Sequence, residues 1–149
     1  PDNILLKPGR LTPEEFEVMK LHANYGYEIL KDSSSEVLKA GASIAIGHHE
    51  KFDGSGYPAG LKGEEIPVFS RIVAVADVFD ALTSERPYKA AWSIERACDH
   101  IRAESGAHFD PACVAAFFAN WDGVTAIRER FRDEGEVSQF AKTGGVLPA

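Results

Sequence analysis

Apolar residues recur along this chain at helical spacing, interrupted by polar caps and one long glycine- and proline-rich stretch, and no convincing strand alternation appears. Thr12-Pro13-Glu14-Glu15 reads as a capping box with proline at the first helical position. It predicts a helix to about Lys31, with Phe16, Met19 and Leu30 on its apolar stripe. Ser33-Ser34-Ser35-Glu36 opens a second helix, which carries Val37, Leu38 and the small-residue run Ala40 to Ile46 and ends near His48-His49. A third is predicted from about Val68 to Thr83. There Ile72, Val75, Phe79 and Leu82 recur at helical spacing, while Asp77 and Asp80 share another face at i and i+3. Ser93 caps a fourth helix through about Glu104, Asp110-Pro111 starts a fifth, and Gly123 to Arg132 reads as a sixth. The stretch from Glu134 to Ala149 is weakly periodic and reads as a linker or a packing arm. The fold class is all-α.

The exception to helical patterning is Lys51 to Pro67, which holds Gly54, Gly56, Gly60 and Gly63 with Pro58 and Pro67. That density predicts a loop with special backbone angles, and so long a loop is usually functional or disordered.

Composition narrows the field. A chain of 149 residues suits one domain, or one domain with an appendage. At this size about 68–70% of the unfolded surface is buried, so no metal or disulfide is needed simply to fold. With 23 acidic against 16 basic residues the formal charge is -7, which makes duplex nucleic acid an improbable partner but leaves room for a small anion at a local cationic site. No apolar run reaches the length of a membrane span, and the first residues lack a signal peptide's regions. Cys98 and Cys113 have no metal-type spacing and read as reduced thiols of a cytoplasmic protein. The chain starts with Pro1, which suggests a fragment or trimmed chain.

The candidate chemistry begins at His48 and His49. Adjacent side chains on a helix point about 100° apart, so this pair is expected to serve two neighbouring ions rather than grip one. Packing of three helices can bring His22, His48, His49 and Asp77 to one pocket; the bland alternative is a polar helix end. Asp53 is a candidate for orienting the loop or a metal-bound histidine. His100 reads as a surface or half-buried residue, His108 as a ring tying a loop to the core, and Trp92 and Trp121 as core or interface aromatics. No Walker loop, dinucleotide-fold glycine signature or Ser-His-Asp order is present.

One string is far more specific: His48-His49-Glu50-Lys51-Phe52-Asp53-Gly54-Ser55-Gly56-Tyr57-Pro58. With it come Ile4-Leu5-Leu6-Lys7-Pro8-Gly9, Leu11-Thr12-Pro13-Glu14-Glu15, Met19-Lys20-Leu21-His22 and Arg71-Ile72-Val73-Ala74-Val75-Ala76-Asp77. Phe79-Asp80-Ala81-Leu82-Thr83, Arg86-Pro87-Tyr88-Lys89 and His108-Phe109-Asp110-Pro111 follow in order. In this order and spacing the sequence resembles the HD-GYP domain, the branch of the metal-dependent HD phosphohydrolases that degrades cyclic di-GMP, over roughly residues 1–119. The resemblance implies an HD-domain-like helical bundle with the long Gly/Pro-rich loop after the second predicted helix. It implies residues 1–121 as that domain, truncated at its start, and 122–149 as a C-terminal helix and tail.

The resemblance also implies roles. His22, His48, His49 and Asp77 match ligands of a centre of two or three divalent ions, iron or manganese. Gly56, Tyr57 and Pro58 match the signature triplet beside the substrate, and Asp80, Arg86 and Lys89 match positions facing the dinucleotide. Arg86 can fork onto phosphate oxygens and Lys89 adds a point charge. The reaction implied is in-line attack on phosphorus by metal-activated water. Cyclic di-GMP, an upstream receiver or sensor domain and a diguanylate-cyclase-type protein are the partners implied.

The family's His-Asp dyad, with further ligands from the preceding helix, would fall before Pro1. No His-Asp dipeptide occurs in this chain, and Asp99-His100 is the reverse order. This stretch is therefore expected to be an incomplete, weakly active or inactive part of a phosphodiesterase. The alternative function is a non-catalytic module that senses cyclic di-GMP or binds a protein. More distant is another HD-type phosphohydrolase acting on nucleotides.

Overall fold

The computed structural model describes residues 1–85 and 90–131. Among these the elements are α1 (Asp2–Leu5), α2 (Pro13–Leu30), α3 (Glu36–Gly47), a 3-10 turn (Gly63–Glu65), α4 (Val68–Thr83), α5 (Ile94–Ala103), α6 (Pro111–Ala119) and α7 (Trp121–Arg130). The chain divides into two compact units, Pro1–Ala116 and Phe117–Ala149. None of the described helices is long and apolar enough to cross a membrane.

The caps act as the sequence predicts. The Thr12 hydroxyl accepts the Glu15 N–H at 3.3 Å, and the Glu15 carboxylate accepts the Thr12 N–H at 2.8 Å. Lys7 adds a 2.6 Å ion pair to Glu15, which ties the segment after α1 to the start of α2. The Ser93 hydroxyl accepts the Arg96 N–H at 3.2 Å, and Asp110 Oδ1 accepts the Ala112 N–H at 2.8 Å. Of the predicted sixth helix, residues 123–130 fall within α7; Arg132 and the tail lie outside the described residues.

In the first unit α2 packs on α3, α3 on α4 and α4 on α5. The α2–α3 seam is made by small residues rather than by the large apolar stripe. Ala23 and Ala42 are buried, a Cβ on Gly26 would stand 3.0 Å from Ala45 Cβ, and one on Gly41 would stand 3.4 Å from Leu30. Of the predicted stripe, Phe16 stays 43% exposed while Leu30 reaches Gly41 of α3. Close backbones bring the middle of α2, where His22 lies, beside the end of α3, where His48 and His49 follow.

Helix α4 is buried on two sides. Val75, Phe79 and Leu82 are buried, as are Ala97 and Ile101 of α5, the helix packed against α4. Each such large side chain contributes roughly 1.5–3 kcal/mol by leaving water. Ser70 and Ala74 form the other buried side, and Ser70 Oγ donates to the Ser43 carbonyl at 2.8 Å. Ile72 is 51% exposed although it shares the helical stripe of Phe79. Gly47 meets α4 at Ser70, where an added Cβ would lie 2.5 Å from Ser70 Oγ and 2.9 Å from its Cβ. Gly47→Ala is therefore expected to cost about 1–3 kcal/mol by overpacking, read by urea denaturation. A variant as stable as the wild type would contradict this packing.

The second unit is described by its own contacts. Phe117 and Phe118 each place their rings 5.9 Å from Trp121. Thr125 Oγ1 donates back to the Trp121 carbonyl at 3.1 Å within α7.

Candidate metal centre

His22 lies on α2 one turn before Gly26, and its Nδ1 is 2.7 Å from the Met19 carbonyl oxygen. His48 caps α3, with Nδ1 3.1 Å from the Ile44 carbonyl oxygen and 3.0 Å from that of Ala45. A carbonyl oxygen only accepts, so both Nδ1 atoms carry a proton, and Nε2 is the nitrogen each ring can offer as a ligand. Those two Nε2 atoms face each other at 3.4 Å, and His49 Nε2 stands 3.1 Å from His22 Nε2. Among the described residues these three histidines form the group whose ligand atoms lie within 4.8 Å of one another.

Lone pairs aimed at each other repel unless a cation or a proton lies between them. One proton serves one pair, whereas one metal ion serves all three rings. Two imidazole nitrogens bound to one ion at about 2.0–2.1 Å, separated by angles between square and tetrahedral, stand about 2.8–3.4 Å apart. The two shortest separations match that spacing. Burial, followed by the neighbouring His48, His22 and His108 rings, lowers the pKa of His49 to about 4. It is thus neutral near pH 7, the form that ligates. The donor set fits a first-row transition ion.

The adjacent histidines converge where an uninterrupted helix would have splayed them. Helix α3 stops at Gly47, and His48 and His49 lie in the turn that follows. Their ring centroids are 4.0 Å apart. With the rings this close, one shared ion is geometrically open to both.

Asp77 is exposed on α4 and lies outside the histidine group. It borders the same region from the loop side. Burial, and then the charge of Asp77, raise the pKa of the Tyr57 hydroxyl, and the Tyr57 ring packs 4.8 Å from that of His49. Asp80 is also exposed, and its carboxylate accepts the Ser84 hydroxyl at 3.1 Å. Arg86 and Lys89 lie outside the described residues.

The loop after α3 is tightly folded. Tyr57 N–H donates to the His49 carbonyl at 3.2 Å, and the Tyr57–Pro58 peptide is cis. Gly56 is required by contact: a Cβ there would lie 2.3 Å from Lys51 N and 2.5 Å from Glu50 Cα. Gly54 and Gly60 take φ of +89° and +68°, the left-handed region that favours glycine. Asp53 Oδ1 accepts the Ser55 N–H at 2.8 Å, and this bond holds its carboxyl below the usual range. Asp53 thus organises the loop's own turn. His108 ties the loop down through its backbone: its carbonyl accepts the Phe52 N–H at 3.1 Å, while its ring stacks on Phe109 with centroids 4.3 Å apart.

Two residues of this region, both within the family strings, have no role assigned from the sequence. Glu50 is 2% exposed and binds the loop from within. The Lys20 ammonium lies over the Phe16 and Tyr57 rings, at 5.1 and 5.6 Å from their centroids. Only the fold brings that cation from α2 beside the histidines. His100 is half-buried edge-on to Trp92, centroids 5.7 Å apart, and Arg96 stacks on Trp92 at 3.8 Å. Cys98 and Cys113 are both free, and burial raises both thiol pKa values.

A family model for the HD domain matches residues 1–113. The chain therefore belongs to the HD-domain family, as its resemblance to the HD-GYP branch anticipates. The all-α expectation agrees with this membership and with the helices described. Over 116 residues the chain is 57% identical to the cyclic di-GMP phosphodiesterase response regulator RpfG of Xanthomonas campestris, covering 78% of this chain and 31% of that protein. It is 52% identical over 134 residues to a cyclic di-GMP phosphodiesterase of Thermotoga maritima, covering 90% of this chain and 36% of that protein. Among solved structures, a cyclic GMP-AMP specific phosphodiesterase of Vibrio cholerae matches with a TM-score of 0.53 at 28% identity, covering 97% of this chain and 32% of that one. The chain spans about a third of the length of these relatives.

Proposed function

We propose that this chain forms the substrate-facing half of a metal-dependent phosphodiesterase that hydrolyses cyclic di-GMP. The observation that carries the reading is the convergence of the His22, His48 and His49 Nε2 atoms beneath the Gly56-Tyr57-Pro58 loop. His22, His48, His49 and Asp77 would hold the ions, two or three of iron or manganese, with Asp77 supplying carboxylate from α4. When bound, such ions activate water and neutralise charge on the scissile phosphate.

The protein's own groups do the positioning. The Nδ1–H bonds of His22 and His48 to helix carbonyls fix ring orientation and keep Nε2 free. Tyr57 walls one side of His49 and keeps water from that ring. Gly56, Tyr57 and Pro58 shape the edge of the site, and Asp80, Arg86 and Lys89 face the dinucleotide. Lys20, ion-paired with Glu17 at 2.7 Å, places its ammonium beside Tyr57 at the edge of the site. An upstream receiver or sensor domain and a diguanylate-cyclase-type partner fit the same role, in a cytoplasmic protein with reduced cysteines.

The convergent donors are all imidazoles, and this favours a second reading: a module that binds the dinucleotide without turning it over. Full-length protein loaded with manganese or iron and given cyclic di-GMP or 3′3′-cyclic GMP-AMP separates the two. Linear dinucleotide or GMP from cyclic di-GMP supports the enzyme. Tight binding of either with no product favours the sensing module, and turnover confined to cyclic GMP-AMP reassigns the substrate.

A further inference from the structure

The geometry points to Glu50 as the positioning residue that holds the Gly56-Tyr57-Pro58 loop against the metal-binding histidines. Glu50 follows His49 directly and is 2% exposed. Its two carboxylate oxygens reach across the loop to backbone donors: the Ala59 N–H at 2.7 Å to Oε1 and the Leu61 N–H at 3.0 Å to Oε2. These bonds pull the segment after Pro58 back onto the segment before Lys51. Gly56 then lies directly on the Glu50–Lys51 peptide, and Tyr57 N–H reaches the His49 carbonyl. The Tyr57 ring comes to rest on the His49 ring as a consequence.

The chemistry of this position is narrow. A carboxylate offers two acceptors to two parallel N–H donors. Glutamine has the same shape but presents one acceptor and one donor, so its amide sets an N–H against an N–H. Loss of one buried, charge-assisted bond corresponds to roughly tenfold or more in the equilibrium it supports. The base of the loop is held independently, by Phe52 N–H to His108 and Gly63 N–H to the Phe52 carbonyl at 2.9 Å. The His22 and His48 rings are anchored on their own helices. Glu50 therefore controls the loop's placement over the site, and His22 and His48 keep theirs without it.

The test compares wild type, Glu50→Gln and Glu50→Ala in the full-length protein, by backbone amide exchange, manganese titration and steady-state kinetics. In Glu50→Gln the Ala59 and Leu61 amides are expected to exchange at least about tenfold faster, and the Tyr57 ring resonances to shift. Manganese affinity stays within about threefold, and KM for cyclic di-GMP rises about tenfold while kcat changes less than threefold, the mark of lost uniform binding. Unchanged protection of Ala59 and Leu61 would overturn the assignment. So would a parallel fall of kcat and manganese affinity at constant KM, which would place Glu50 in the metal centre. Glu50→Gln keeps volume and decides the matter if Glu50→Ala does not fold. The kinetic readout rests on the function proposed above. A wild type without turnover would sink that function, while amide exchange would still judge Glu50.

Discussion

Replacing His22 with alanine in the full-length protein is expected to abolish the metal-dependent turnover proposed above and to weaken manganese or iron binding by about 100-fold or more, since even indirect partners of a metal ligand are worth about 10–100-fold. His22 is the hub of the cluster: its Nε2 lies 3.4 Å from that of His48 and 3.1 Å from that of His49. Its side chain is exposed, and its one anchoring bond is local, to Met19. Removing it therefore takes away a ligand without opening the core, and without metal the variant should melt within a few degrees of the wild type. Added metal separates the two proteins. A ligand at 100 times its Kd stabilises the folded state by about 2.7 kcal/mol, and the variant should lose that gain. Calorimetric melting with and without manganese, run beside the activity assay, checks both halves. A variant that keeps the metal-induced rise in Tm would show that the ion binds elsewhere.

Asp110→Ala is expected to be the most destabilising single change outside the apolar core, at about 3–5 kcal/mol, because it strands a buried guanidinium. Arg71 of α4 meets Asp110 at 2.5 Å, their side chains 16% and 6% exposed, and Arg71 Nε also donates to the Ile66 carbonyl at 2.8 Å. The pair thus fastens the end of the long loop and the start of α6 to α4. Burial pushes the Asp110 carboxyl up, but the Ala112 N–H and the Arg71 guanidinium outweigh it and hold it below its ordinary value. A carboxyl depressed in the folded state stabilises above its unfolded pKa of about 3.9, and that contribution is lost as pH falls through the folded value. Asp110→Asn should accordingly be less stable than the wild type at pH 7, with the gap narrowing below about pH 4. Urea titrations at the two pH values measure it, and a gap independent of pH would contradict the assigned pairing.

Much of the fold could be read from local chemistry, because caps and small residues act over a few positions. Thr12 and Glu15 mark the start of α2, Ser93 that of α5 and Asp110-Pro111 that of α6, each by a bond to a backbone group within three residues. The bounds of α4 follow from Pro67 before it and the apolar period within it. What escaped was set by tertiary contact. Helix α1 has four residues and no side-chain cap, so nothing in its sequence distinguishes it from a turn. Ile72 keeps helical register with Phe79 yet is 51% exposed, so the period alone does not give the length of the buried stripe.

The candidate site divides the same way. The three histidines were legible as candidate ligands from residue type and from the family string. Their convergence was not, since it depends on α3 ending at Gly47 and on the α2–α3 seam being lined by Ala23, Gly26, Ala42 and Ala45. Glu50 stands in the family string with no role of its own assigned. Its burial depends on the loop folding back around it, and the donors at Ala59 and Leu61 are backbone groups that no side-chain pattern reveals.

Anomalous scattering from crystals grown with manganese tests the central claim most directly. The account predicts a metal peak within bonding distance of the Nε2 atoms of His22, His48 and His49, lost in His22→Ala. A well-ordered site with no anomalous density there, or a peak bound only by exposed carboxylates elsewhere, would contradict it.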